Sequence, residues 1–170
     1  IIDSNVHNYV VKVGPGTFTE PLITIPTNVA IWGASTLETI VQPDGNHDVF
    51  TISSSNIEIQ NIGIKGAPSG FNGVSCLNAG IVRLINTNFT NCDTAVYISA
   101  TSADCNCRIA ICHIGGTYTH GIWINSANGY LARLTMSTFV TDPVGPNINM
   151  LDTINCVGSN YLVKLTGGTL

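Results

Sequence analysis

Apolar and polar positions alternate with period two along most of this chain, and one short phrase of the alternation recurs. It consists of an apolar residue, an outward residue, a second apolar residue and then a polar or turn position. The copies are Val11-Lys12-Val13, Val29-Ala30-Ile31, Ile57-Glu58-Ile59, Val82-Arg83-Leu84, Ile109-Ala110-Ile111, Ala132-Arg133-Leu134 and Val163-Lys164-Leu165. Successive copies lie about 25 residues apart with variable insertions, the mark of a repeat architecture. A further apolar residue follows the later copies at Ile64, Phe89, Phe139 and Leu170, with Gly116 as the exception. Asn61, Asn86, His113, Met136 and Gly167 stand between the two halves. Asn and Gly tolerate left-handed backbone, so this spacing predicts a bend between two short strands. A third strand precedes each phrase, as Phe50-Thr51-Ile52, Val74-Ser75-Cys76, Val96-Tyr97-Ile98 and Ile122-Trp123-Ile124.

Three short strands and three bends per repeat predict an all-β fold, a right-handed parallel β-helix (a solenoid) of about six to seven rungs spaced ~4.8 Å apart. A β-sandwich has no reason to repeat one in-out phrase at a fixed period. An α-solenoid needs 3.6-residue periodicity and helix formers, whereas these segments are β-branched and alternate. Residues 1–170 read as a single domain.

Composition sharpens this picture. The chain has 170 residues, 9% charged and 44% hydrophobic, with a net charge of -4. Ordinary soluble domains carry about 25% charged residues, so Thr, Asn, Ser and Gly must supply the outer strand positions and bends. The chain is too apolar for disorder. Six basic against ten acidic residues exclude a strong phosphate-facing field, hence no nucleic-acid partner. No apolar run approaches the roughly 18 residues of a membrane span. The chain starts at Ile1 without Met and stops at Leu170 inside an expected strand. It therefore reads as a segment of a longer protein, whose open sheet edge further chain or a partner would cover.

With the rungs located, a resemblance emerges. YVVKVGPGTFTEPLITIPTNVAIWGASTLETIVQP, from Tyr9 to Pro43, resembles the opening rungs of pectin-lyase-like β-helix proteins, and SNIEIQNIGIKG, from Ser55 to Gly66, resembles their recurring rung. The resemblance implies the fold and makes residues 1–9 the remnant of an N-terminal cap. Its members include polysaccharide lyases, glycoside hydrolases, pectin methylesterases, phage tailspikes and virion structural proteins. The lyases and hydrolases work with clustered Asp plus Arg or Lys on one outer sheet, and the methylesterases carry a later GYQDT-like strand. This chain has neither that strand nor a tandem Asp pair, and a fold does not by itself give a function.

Two outward columns are candidate binding surfaces. One runs Lys12, Ala30, Glu58, Arg83, Ala110, Arg133 and Lys164, and would pair Glu58 with Arg83 across strands. It would grip an acidic polysaccharide or a carboxylate on a neighbouring subunit; its plainer reading is a solvated face with one weak ion pair. The other runs Thr51, Ser75, Tyr97 and Trp123, with the two aromatic rings on successive rungs. Such pairs stack on sugars or anchor interfaces, unless loop insertions cover them.

Other motifs carry less. Asp93 and Asp104 are the least implausible carboxylate couple for glycosidase chemistry, which needs two such groups roughly 5 to 9.5 Å apart. Cys105, Cys107, Cys112 and His113 form a C-x-C-x4-C-H string without the C-x2-C knuckle of a zinc site. Cys76 falls on an inward position, and six cysteines without a disulfide framework fit a reducing compartment. Asp44-Gly45-Asn46-His47-Asp48 opens like a calcium loop but lacks its later Gly and Glu. Asn88-Phe89-Thr90 is a glycosylation sequon on an inward anchor. No residue set predicts a metal or a cofactor.

The sequence thus reads as a non-enzymatic structural β-helix of a larger assembly. A virion component such as a fibre, spike or minor capsid protein leads, with other subunits or a host glycan as partners. A carbohydrate-active or carbohydrate-binding β-helix protein is the second reading, and a bacterial surface adhesin the third.

Overall fold

The computed structural model describes residues 7–116, 119–127, 129–141, 154–158 and 161–165, with the backbone alone for 138–141, 154–158, 161–162 and 164–165. It is built of parallel strands, and no helix among the described residues is long and apolar enough to cross a membrane. The early rungs use three short strands each. The first has β1 (Tyr9–Lys12), β2 (Gly16–Glu20) and β3 (Ile23–Thr24), and the second β4 (Val29–Trp32), β5 (Thr39–Pro43) and β6 (Phe50–Ile52). In later rungs the first two fuse into one long bent strand. These are β7 (Ile57–Lys65), β9 (Ile81–Thr90), β11 (Cys105–Gly115) and β13 (Ala132–Thr141), alternating with β8 (Asn72–Leu77), β10 (Thr94–Ala100), β12 (His120–Ser126) and β14 (Ile154–Gly158). The last strand is β15 (Tyr161–Leu165).

Every pairing is parallel and joins one rung to the next. One sheet stacks β1, β4, β7, β9, β11, β13 and β15, with β2 and β5 continuing it past the bend, and a second stacks β3, β6, β8, β10, β12 and β14. This is the parallel β-helix the repeat predicts, with its rungs in chain order.

The bends explain why the long strands turn without breaking. Asn61 (φ 57°) and Asn86 (φ 47°) are left-handed, and Asn86 donates from Nδ2 to Asn61 Oδ1 at 2.7 Å. A second such rung-to-rung bond joins the left-handed Asn56 and Asn28, at 2.9 Å. Asn is among the few residues that adopt this conformation at low cost, and its amide satisfies its neighbour one rung away.

Inside the coil, side chains stack in columns. Val29, Ile57, Val82, Cys107 and Leu134 form one, and Ile59, Leu84, Ile109 and Met136 lie beside it, all of them buried. Ile52, Cys76, Ile98 and Ile124 close the core from the second sheet. Each buried branched aliphatic contributes about 1.5–3 kcal/mol of transfer free energy, so the interior column holds the coil together.

The register corrects three of the seven expected phrases. β1 aligns Tyr9 and Val11 with Val29 and Ile31, where Val11 and Val13 were expected. β11 aligns Cys107 and Ile109 with Val82 and Leu84, and β13 aligns Leu134 and Met136 with Cys107 and Ile109. Each error is a slip of two residues. A two-residue slip leaves every side chain on its own face, so the apolar pattern does not register it. Consequently His113 and Met136 are not at bends; Ile111, left-handed at φ 54° and 57% exposed, takes the place of Asn86. Phe139 aligns with Cys112, and Ile114 with Phe89. Gly167 and Leu170 lie outside the described residues, as do the first six residues of the expected cap, while Tyr9 already belongs to β1.

Candidate functional site

The aromatic column stands as the sequence places it. Thr51, Ser75, Tyr97 and Trp123 are register partners on β6, β8, β10 and β12. The Tyr97 and Trp123 ring centroids are 5.4 Å apart with planes tilted by 59°, a packed aromatic pair. The sequence reading missed His120, which lies three residues before Trp123 at the corner of β12 and packs its ring 5.2 Å from the indole. Asn125 Nδ2 donates to the Tyr97 hydroxyl at 3.2 Å. Trp123 Nε1 is buried without a hydrogen-bond partner. A buried donor left unpaired is costly, and an indole N–H in such a place usually finds an acceptor.

Below this pair the same face is polar and closed. The Asp48 carboxylate accepts from Asn72 N at 2.7 Å, Asn72 Nδ2 at 3.0 Å, Ser75 Oγ at 2.6 Å and Thr51 Oγ1 at 3.4 Å. Four donors on one carboxylate tie the turn before β6 to β8, and they bury Ser75. Asp93 likewise accepts from Gly70 N at 2.8 Å and from Thr119 Oγ1, linking the turns on either side of it. Asp104 accepts from Leu131 N at 2.8 Å, joining two turns at the other edge. Asp93 thus clamps the turns that lead into the second sheet, and Asp104 those that leave it.

The basic column is rearranged by the same two-residue slip. Ala30, Glu58 and Arg83 are true register partners, but the column then continues through Arg108, Thr135 and Lys164. Lys12 aligns with Trp32, two residues along, and Ala110 with Ile85. Arg133 aligns with Asn106. The expected Glu58–Arg83 ion pair does not form among the described residues. Glu58 Oε1 accepts from Trp32 Nε1 at 2.8 Å, and Arg83 Nη1 donates to Asn56 Oδ1 at 3.2 Å. Lys164 is placed by its backbone alone.

The cysteines behave as core residues. Cys76, Cys92, Cys105, Cys107 and Cys112 are free thiols buried in the coil. Burial pushes the Cys92 and Cys112 thiols up to about 11 and Cys105 up to about 12. The Cys76 thiol is raised as well, first by its hydrogen bond with Cys107 and then by burial. A metal ligand must be a thiolate, and His113 turns outward to Asn88 Oδ1 at 3.0 Å, so the C-x-C-x4-C-H string does not converge. Asn88, the sequon residue, is held by that contact. The calcium-like turn also diverges, since Asp44 holds His47 Nε2 at 2.8 Å while Asp48 faces Ser75. No group of three or more metal-ligating side chains occurs among the described residues.

A coil of parallel rungs with in-register Asn bends defines a parallel β-helix. No known protein family and no curated protein matches the chain by sequence. Solved structures do match it in fold. The pectin methylesterase PemA from Erwinia chrysanthemi superposes with a TM-score of 0.57 at 13% identity, over 81% of this chain and 58% of that one. The pectin methylesterase from Yersinia enterocolitica gives 0.57 at 10% identity, over 80% and 52%. ORF18 of Geobacillus virus E2 gives 0.57 at 16% identity, over 98% of this chain and 43% of that one. The chain therefore spans about half the length of these structures. At such identities the likeness is one of fold.

Proposed function

We propose that this chain is a non-enzymatic structural β-helix of a larger assembly, a virion component of the fibre, spike or minor capsid kind. The observation that carries the reading is the state of its carboxylates. Among the described residues every Asp and Glu except Glu20 has a local partner. Asp44 holds His47, Glu38 holds Ser35, Glu58 holds Trp32, and Asp48, Asp93 and Asp104 hold backbone amides of neighbouring turns. A general acid or base must present its carboxyl to a substrate, and these present theirs to the fold. The viral ORF18 adds support, because its likeness runs over 98% of this chain. Partners are then other subunits, and the tilted Tyr97–Trp123 pair, rich in contact area, is suited to anchor one.

A carbohydrate-binding or carbohydrate-active β-helix is the second reading. It is favoured by the half-buried Trp123 indole, which packs beside Tyr97 and His120 as a ring cluster of the kind that stacks on sugars. The two readings part in one experiment. Sedimentation of the purified protein, with methyl-esterified and free polygalacturonate supplied as substrates, should reveal higher oligomers and neither methanol release nor chain cleavage. A monomer that turns over either polymer sinks the structural reading.

A further inference from the structure

All three arginines of the chain, Arg83, Arg108 and Arg133, fall on one outer face, on the consecutive strands β9, β11 and β13. Arg83 and Arg108 are direct register partners, so their Cα atoms sit about 4.8 Å apart. Arg133 pairs with Asn106, one outward position before Arg108. Like charges facing each other across strands destabilise a sheet, and among the described residues no carboxylate offsets the repulsion. No ion pair reaches any of the three among the described residues, and the neighbouring Glu58 is turned to Trp32. Arg83 leans away from Arg108, down the coil to Asn56 Oδ1. Arg108 and Arg133 are exposed, and Asn106 beside Arg133 has a buried Oδ1 with no donor.

The rest of the face is uncharged. Its outward positions are Ile81 and Ile85 on β9, Ala110 on β11, and Thr135 and Ser137 on β13, with no carboxylate among them. A flat surface of this kind gives a small molecule no concavity to fill, but it lets a flat partner approach three forked guanidiniums at once. Arginine is the residue suited to bidentate capture of carboxylates.

The geometry points to the outer face of β9, β11 and β13 as a docking face for an acidic protein segment, whose carboxylates bridge Arg83 and Arg108 while Arg133 takes a further one. The partner's charge relieves a repulsion that the free coil tolerates. The choice of a protein partner rests on the assembly reading above; the face itself does not.

The test uses the purified chain and a fluorescently labelled oligo-glutamate peptide, with a heparin fragment as the competing class of polyanion. Oligo-glutamate should bind, and more weakly as salt rises. The Arg83→Gln/Arg108→Gln double variant should weaken binding by at least about tenfold, and Lys65→Gln, a cation beyond the Asn61 bend, by less than about twofold. Arg108→Thr, which puts the β13 residue type into the column, should weaken binding and raise the melting temperature together. A residue kept only for the fold would lower that temperature when replaced. The proposal is overturned if oligo-glutamate does not bind, if the double variant binds as the parent does, if Lys65→Gln is equally harmful, or if only heparin binds. Failure here in a protein that still assembles removes the arginine face alone, whereas oligo-glutamate binding by a chain that remains a monomer removes the assembly reading alone.

Discussion

Ile111 is the residue most at odds with its surroundings. It is β-branched and 57% exposed, and it sits at φ 54° on the line of bends occupied by Asn61 and Asn86. Left-handed backbone costs an ordinary L-residue about 1–2 kcal/mol, and Asn much less. Ile111→Asn should therefore stabilise the coil by about 1 kcal/mol in urea unfolding, since it also offers Asn86 a third amide. Asn86→Ala should do the reverse and cost about 1–2 kcal/mol, because it removes both the bend preference and the bond to Asn61. His47 gives a pH signature. Its pKa is raised from 6.5, first by its hydrogen bond to Asp44 and then by that to the Asp48 carbonyl. A raised folded-state value means that its contribution is present in full below pH 6.5 and fades as pH rises through the folded value. The stability gap between the protein and His47→Gln should accordingly close between mildly acidic and mildly alkaline conditions, and a gap that widens with pH would contradict this assignment.

At the scale of the strands, the interior columns are the test of register. Leu84 stacks between Ile59 and Ile109 and is fully buried. Leu84→Ala should cost about 2–5 kcal/mol, as cavities in well-packed cores do. The buried thiols make a second check. Cys76, Cys92, Cys105 and Cys112 should resist alkylation in the folded protein at neutral pH and react on unfolding, since each thiol is raised by its surroundings. The strands also show where sequence reading succeeds and where it stops. The column through Thr51, Ser75, Tyr97 and Trp123 was legible because each strand is a short in-out-in triplet at nearly constant spacing. The phrases on β7 and β9 were legible because Asn61 and Asn86 mark the bend four residues after Ile57 and Val82. On β11 that mark is missing, because Ile111 stands where an Asn would have. Cys107-Arg108-Ile109 and Ile109-Ala110-Ile111 then fit the same pattern equally well, and Arg108 was lost from the basic column. His120 was hidden for another reason: it belongs to a corner, where the chain's curvature, not its alternation, brings the ring over Trp123.

Across the whole molecule, scarcity of charge and the placement of what charge exists have one explanation. Thr, Asn and Ser cover the outer strand positions, Asp48, Asp93 and Asp104 fasten turn to turn, and the three arginines are gathered on one face without an ion pair among the described residues. Among the described residues such a coil has every carboxylate but Glu20 engaged by a local partner, and it carries Tyr97, Trp123 and the three arginines on its outer faces; the proposed assembly role gives those outer residues neighbouring subunits to meet. The most direct measurement of that claim is sedimentation velocity of the purified chain over a range of concentrations. The account predicts species that are multiples of 18.0 kDa, growing with concentration and dispersed by salt. A single 18.0 kDa species at every concentration and salt would contradict it.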